Sequence, residues 1–155
     1  MMQRPGTPPD IAVVTRLFDA VSAQDVAALL RCYHPEVTIL ESGELPYGGT
    51  YRGLEGALEH VRSFQAAWAP FMDRSQPLAR SLTCDGEGTV TVAFRHQARS
   101  LASGRTLDEP EIGTYQVRDG LVIRSQMFHF EPAALCHFLS EESRPATDPH
   151  PPGAP

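Results

Sequence analysis

The sequence predicts an α+β domain in which leading helices pack on a curved, mostly antiparallel sheet. Three observations predict it. Apolar residues recur at helical spacing up to Trp68, whereas the region from Leu78 to Phe130 alternates in the manner of strands. Asp85-Gly86, Ser103-Gly104 and Asp119-Gly120 cut that second region into consecutive strands. Three helices ahead of one antiparallel meander give segregated layers, and a bent sheet capped by a helix encloses a cavity suited to a small ligand.

Each element has its own signal. Thr7-Pro8-Pro9-Asp10 reads as a helix start, with Thr7 capping and Pro8 at the first helical position. Ile11, Val14, Phe18 and Val21 follow at helical spacing. A second helix runs from about Gln24 to Tyr33, stopped by Pro35. Val37 to Glu41 reads as a strand and Ser42 to Gly53 as a Gly- and Pro-rich loop. Leu54 to Trp68 is a helix with one stripe of Leu54, Ala57, Leu58, Val61, Phe64 and Trp68. Strands are expected at Leu78–Cys84, Thr89–Leu101, Thr106–Val117 and Leu121–Phe130, and Asp119-Gly120 is the strongest hairpin signal. Pro132 opens a short last helix through Leu139. The domain is expected over residues 10–140, between a flexible segment 1–9 and a Pro-rich, disordered tail 141–155.

Composition removes whole classes of function. A net charge of −6 over 155 residues opposes a nucleic-acid surface. No apolar run spans a bilayer, and the first nine residues lack the apolar stretch of a signal peptide, so a cytoplasmic address is expected. Cys32, Cys84 and Cys136 are far apart and form no metal spacing. Cys32 and Cys136 fall in apolar helical contexts, where a free thiol acts as a small hydrophobe. No glycine-rich phosphate loop follows a strand, so no nucleotide cofactor is expected. His96, His129 and Glu41 lack compact ligand spacing, so no metal is expected either.

The element order and several strings resemble the SnoaL-like branch of the nuclear-transport-factor-2-like superfamily. The strings are Arg16 to Val21 with Asp25, Tyr33 to Val37, Pro46 to Gly53, and Phe128 to Leu135. The resemblance covers roughly Ile11 to Leu139 and implies a cone-shaped α+β barrel, a homodimer, and no cofactor. The superfamily includes polyketide cyclases, ketosteroid isomerases, dehydratases and epoxide-opening enzymes, so fold alone does not fix function. By comparison with ketosteroid isomerases, Glu41 matches the general base at the end of the first strand. Their two oxyanion donors are replaced here by Leu17 and Gly113. By comparison with SnoaL-type cyclases, Glu131 matches the base near the end of the last strand.

Strand alternation sorts the candidate site residues. Ser125, Met127, His129 and Glu131 share one face of the last strand, and Phe128 and Phe130 the other, under helices or at a dimer contact. Val92, Phe94, His96 and Ala98 share a face, as do Glu109, Glu111, Gly113 and Tyr115. With these faces inward, the cavity has apolar walls carrying Glu41, His96, Glu111, Tyr115 and His129. Glu41 is read either as a carboxylate with a pKa raised by apolar surroundings or as an exposed strand-end charge. Glu131 either pairs with His129 or sits at the helix N-terminus that Pro132 opens. His96 is either a second pocket histidine or a satisfied core residue. Tyr47 and Tyr51 flank Gly48-Gly49, as a mouth loop whose phenols bind substrate oxygens or as core cover. Trp68, Phe94 and Met127 line the pocket or its rim. His34, His60, His137 and His150 read as exposed.

Glu41, His96, His129 and Glu131 are therefore the expected catalytic groups, with Tyr47, Tyr51, Trp68, Phe94, Glu111, Tyr115 and Met127 binding substrate. The expected activity is cyclisation or isomerisation of an apolar oxygenated, polyketide-like substrate by aldol closure or epoxide opening. A non-catalytic binding module and a dehydratase or epoxide hydrolase of the same fold are the alternatives. The dehydratase reading needs a close pair of His96 and Glu41.

Overall fold

The computed structural model describes residues 7–71 and 80–142. Helices α1 (Pro9–Ala23) and α2 (Val26–Arg31) lead into β1 (Tyr33–Glu41) and β2 (Gly49–Arg52). Helix α3 (Gly53–Trp68) and a 3-10 turn (Ala69–Phe71) follow, then β3 (Arg80–Cys84), β4 (Thr89–Arg99), β5 (Thr106–Arg118), β6 (Leu121–His129) and helix α4 (Pro132–Glu142). The six strands form one sheet in the order β2-β1-β6-β5-β4-β3. Every pairing is antiparallel except β1 with β6. The α+β architecture with helices on a mostly antiparallel sheet agrees with the sequence expectation. No described helix is long and apolar enough to cross a membrane.

Several boundaries differ, each for a local reason. Pro8, not Thr7, is the N-cap of α1, and Pro9 takes the first helical position with no side-chain cap. Asp25 caps α2 by accepting from the Ala28 N–H at 2.9 Å, which delays that helix to Val26. Tyr33 belongs to β1, not to α2, and Val122 donates its N–H to the Cys32 carbonyl, tying the end of α2 to β6. The segment read as one loop contains β2, paired with β1 from Thr38↔Arg52 to Glu41↔Gly49. Gly48 makes that return possible, because a Cβ there would meet the Ser42 carbonyl oxygen at 2.1 Å. Asp119 and Gly120 both take positive φ, as the expected two-residue hairpin turn requires. Leu78 and the tail from Arg144 lie outside the described residues.

The inward face carries two cores. One joins Val13, Val14, Leu17 and Phe18 of α1 to Val90, Val92, Phe94, Tyr115 and Val122 of the sheet. Phe18 meets both Phe94 and Tyr115 edge-on, with ring centroids 5.4 and 5.7 Å apart. The other joins Leu45, Tyr47, Trp68 and Phe71 to Leu135, Phe138 and Leu139 of α4. The ionisable residues of the inward face lie where these cores meet.

Candidate functional site

Strand register brings four elements to one level. Val37 and Ile39 are buried along β1, and the same alternation turns Glu41 inward. On β4 the inward row runs Val90, Val92, Phe94 and then His96. On β5 it runs Tyr115, Gly113, Glu111 and Glu109, and on β6 Ser125, Met127 and His129. Glu111 stands opposite Phe94 on one side and His129 on the other, and Glu109 opposite His96. Each row thus changes from apolar to ionisable at the same height.

These side chains form an alternating chain of imidazoles and carboxylates. His60 Nε2 lies 3.0 Å from Glu41 Oε1, and Glu41 Oε2 lies 3.4 Å from His129 Nε2. His129 Nδ1 is 3.2 Å from Glu111 Oε1, outside hydrogen-bond alignment. His96 Nδ1 meets the same Glu111 oxygen at 3.2 Å. The middle is sealed: the side chains of Glu41, His129 and Glu111 are 5%, 3% and 3% exposed, against 14% for His60 and 13% for His96 at the ends. Trp68 stacks on His96 with ring centroids 4.0 Å apart, and Tyr51 meets His60 edge-on at 5.0 Å.

The electrostatics follow from this pairing. Burial disfavours the charged form of every member, but for three of them the partners outweigh it. For His129, burial pushes the pKa down, while Glu111 and Glu41 pull it up more strongly, to about 10. For Glu41, burial pushes up and the hydrogen bonds of His129 and His60 bring it below its ordinary value. Glu111 is likewise held low by His129 and His96 against burial. Glu109 goes the other way, raised by burial and by the Glu111 charge despite the Glu131 N–H it accepts at 3.2 Å. The buried phenols of Tyr47 and Tyr115 are raised by desolvation, far above the working range.

The sequence expectations are sorted by this geometry. Glu41, His96, Glu111 and His129 are brought together. Glu41 is neither raised by an apolar wall nor an exposed strand-end charge: it is buried and held low by the imidazoles of His129 and His60. Glu131 is exposed and joins the cluster only through its backbone N–H to Glu109, so its side chain faces away from the site. His96 pairs with Glu111, whereas Glu41 pairs with His60 and His129, so the His96–Glu41 pair that the dehydratase reading needs is replaced by others. Tyr51 donates its hydroxyl to the Tyr47 carbonyl at 2.9 Å, inside its own loop. Tyr47 is 1% exposed and packs on Phe64, so it covers core. Phe94, Tyr115 and Met127 lie in the apolar half. Tyr115 folds across Gly113, where a Cβ would stand 2.7 Å from its ring, and donates to Met127 Sδ at 3.5 Å. The expected apolar hollow is occupied at this level by the charged cluster. Two concavities among the described residues, of 570 and 370 Å³, lie elsewhere, beside Thr38 and Arg124 and beside Arg16 and Cys32.

Sequence reasoning missed His60 and Glu109. His60 falls between Ala57 and Phe64 on the apolar stripe of α3, three residues from one and four from the other, and that spacing is the signal that turns it inward. Glu109 was placed on the inward row with Glu111 but not among the candidate site residues.

The chain matches the family model of the SnoaL-like domain over residues 14–125. It is 28% identical over 129 residues to the uncharacterized protein Rv0034 of Mycobacterium tuberculosis, covering 83% of this chain and 95% of that one. Among solved structures, TerC co-crystallised with polyporic acid superposes with TM-score 0.71 at 22% identity, covering 86% of this chain and 99% of TerC. A protein from Jannaschia sp. CCS1 described as a SnoaL-like polyketide cyclase gives 0.65 at 21% identity, covering 94% and 99%.

Proposed function

Because the chain belongs to the SnoaL-like domain family, we propose that it is a general acid–base enzyme that cyclises or isomerises a small, apolar, oxygenated substrate of polyketide type. The observation that carries this reading is the pair of carboxylate–imidazole dyads, His60–Glu41 and His96–Glu111, bridged by His129. A carboxylate only accepts, so Glu41 fixes the proton of His60 on Nε2 and leaves a lone pair on Nδ1. That Nδ1 is buried without a partner. It takes the proton from a substrate carbon, and the imidazolium formed is stabilised by Glu41. His96, oriented by Glu111 and entering the step as the imidazolium, gives a proton to the oxygen that becomes negative as the new bond closes, and the proton held by His60 then returns to His96 through solvent. One C–H bond breaks and one O–H bond forms, so the reaction has no net proton demand. His129 keeps both carboxylates charged and in place. TerC, which shares this fold, was co-crystallised with polyporic acid, and this supports a small-molecule ligand for the fold.

We further propose a homodimer through the outer sheet face. Ile112 and Phe128 are cross-strand neighbours there, 46% and 48% exposed, and Phe130, just past the end of β6, is 76% exposed, apolar surface that a monomer gains nothing by showing to water.

Proton abstraction can be tested before the substrate is known. Aromatic ketones such as 2-tetralone, incubated in D2O with EDTA-treated protein, should gain deuterium at the α-carbon, followed by proton NMR. Glu41→Gln and His60→Gln should each lower that rate by about 10²-fold or more. Ketone binding that survives in Glu41→Gln, with no exchange by the wild type above denatured protein, would instead establish a binding module.

A further inference from the structure

Two buried polar atoms face each other across the cluster with no hydrogen-bond partner: Glu109 Oε2 and His129 Nδ1, 3.9 Å apart. Their side chains are 5% and 3% exposed, so solvent does not satisfy them. Native interiors leave few such atoms, and each calls for an explanation. The acid–base reading gives Glu109 no part in the dyads and leaves its Oε2 unexplained, and it gives His129 Nδ1 only the Glu111 oxygen at 3.2 Å, outside hydrogen-bond alignment. Glu111 Oε1 lies 3.2 Å from the same Nδ1, and all three donor atoms fall within 4.8 Å of one another.

We propose that Glu109 Oε2, Glu111 Oε1 and His129 Nδ1 form a binding site for one divalent first-row transition-metal ion, of the Zn²⁺ or Mn²⁺ kind. Donors bound at about 2.0–2.2 Å stand roughly 3–3.5 Å apart. Small side-chain rotations from the observed 3.2 and 3.9 Å reach that spacing.

The surroundings are those of a metal's supporting shell. The other nitrogen of His129 faces Glu41 at 3.4 Å, the carboxylate–histidine–metal arrangement that fixes the ring and strengthens it as a ligand. Glu109 is oriented by the Glu131 N–H on Oε1, which leaves Oε2 free, and Glu111 is oriented by His96. One nitrogen with two carboxylate oxygens suits zinc, manganese or iron better than calcium or magnesium, which prefer oxygen alone. Three protein donors leave a position for water or a substrate oxygen.

The ligand set also departs from the spacings that sequence rules search for. Glu109 and Glu111 are alternate residues of one strand, and His129 is the direct cross-strand neighbour of Glu111. This spacing is a sheet-borne one, unlike the helical spacings whose absence led to the expectation of no metal. The ion would take the place of whatever proton His129 Nδ1 and Glu111 share, so it reorganises the bridge between the dyads and does not depend on turnover.

The full chain, stripped with EDTA and dialysed, should be titrated calorimetrically with ZnCl2 and MnCl2, and with CoCl2 for visible absorption. One equivalent should bind with a dissociation constant of about 1 μM or tighter. Glu109→Gln should weaken binding at least about 10-fold, and His137→Gln, on the exposed side of α4, should leave it unchanged. As a readout independent of any variant, substoichiometric Mn²⁺ should broaden the ring signals of His129 before those of His34 and His137. Absence of stoichiometric binding, full affinity in Glu109→Gln, or broadening of His34 or His137 first would overturn the site. The deuterium-exchange assay runs in EDTA, so the metal site and the acid–base reading can fail separately.

Discussion

The two halves of the inward sheet face are built from the same strands and do opposite things. Toward α1, the rows end in Val90, Val92, Phe94 and Tyr115, buried against Phe18 of the helix, and removal of apolar area from water holds them together. Toward α4, the same rows continue as His96, Glu111, Glu109, His129 and Glu41, which are largely closed to solvent but ionisable. Burial stabilises the first half and penalises the second, where Glu41, His129 and Glu111 offset that penalty by pairing with one another. The contrast places stability in one half and chemistry in the other, and substitutions in each half should fail differently.

The largest effect belongs to the apolar half. Phe18→Ala removes the ring that meets both Phe94 and Tyr115, and should cost about 3–5 kcal/mol in urea unfolding, whatever the pH. In the charged half, His129→Leu leaves Glu41 and Glu111 with only His60 and His96 as partners and should cost about 3 kcal/mol. Adding Glu41→Gln and Glu111→Gln to it should recover more than half of that loss, a rescue that no second substitution gives Phe18→Ala. A triple variant as unstable as His129→Leu alone would erase the distinction.

The halves should also separate by pH. His129 has its pKa raised from 6.5 to about 10, so its stabilisation is complete below pH 6.5 and is withdrawn as pH climbs through 10. Glu41 and Glu111 are held below 4.5, so their contribution is present above that value and lost on acidification. Glu109 is raised and opposes them weakly, favouring the fold where it is protonated. Unfolding free energy should therefore fall between pH 6.5 and 10 in the wild type and stay flatter in the triple variant. Smaller effects lie outside both halves. Asp25→Ala should cost about 1 kcal/mol by uncapping α2, with no change in activity. Phe130→Ser should change stability by less than about 0.5 kcal/mol yet shift sedimentation from dimer toward monomer.

The apolar half was legible in the sequence and the charged half only in part. Period-two alternation in β4, β5 and β6 assigned the inward faces correctly, because one buried face fixes register strongly. It also placed Glu41, His96, Glu111 and His129 toward one interior. Partners were not readable, because which imidazole reaches which carboxylate depends on strand stagger and sheet curvature. Neither reading of Glu41, a carboxylate raised by an apolar pocket or an exposed strand-end charge, allowed for His60 and His129 as its neighbours. Gly48 signalled a turn without revealing that β2 follows it, since four residues carry little periodicity. Glu131 was drawn into the site by its place after His129. The strand ends at His129, so alternation no longer governs where Glu131 points.

The central claim is that His129 is an imidazolium clamped between Glu41 and Glu111. Ring-15N-labelled protein at pH 8, followed by long-range 1H–15N NMR, reads its state directly. Both nitrogens of His129 should carry protons there, and the ring should titrate near 10. A neutral ring at pH 8, titrating near the ordinary 6.5, would contradict the clamp and with it the bridge between the two dyads.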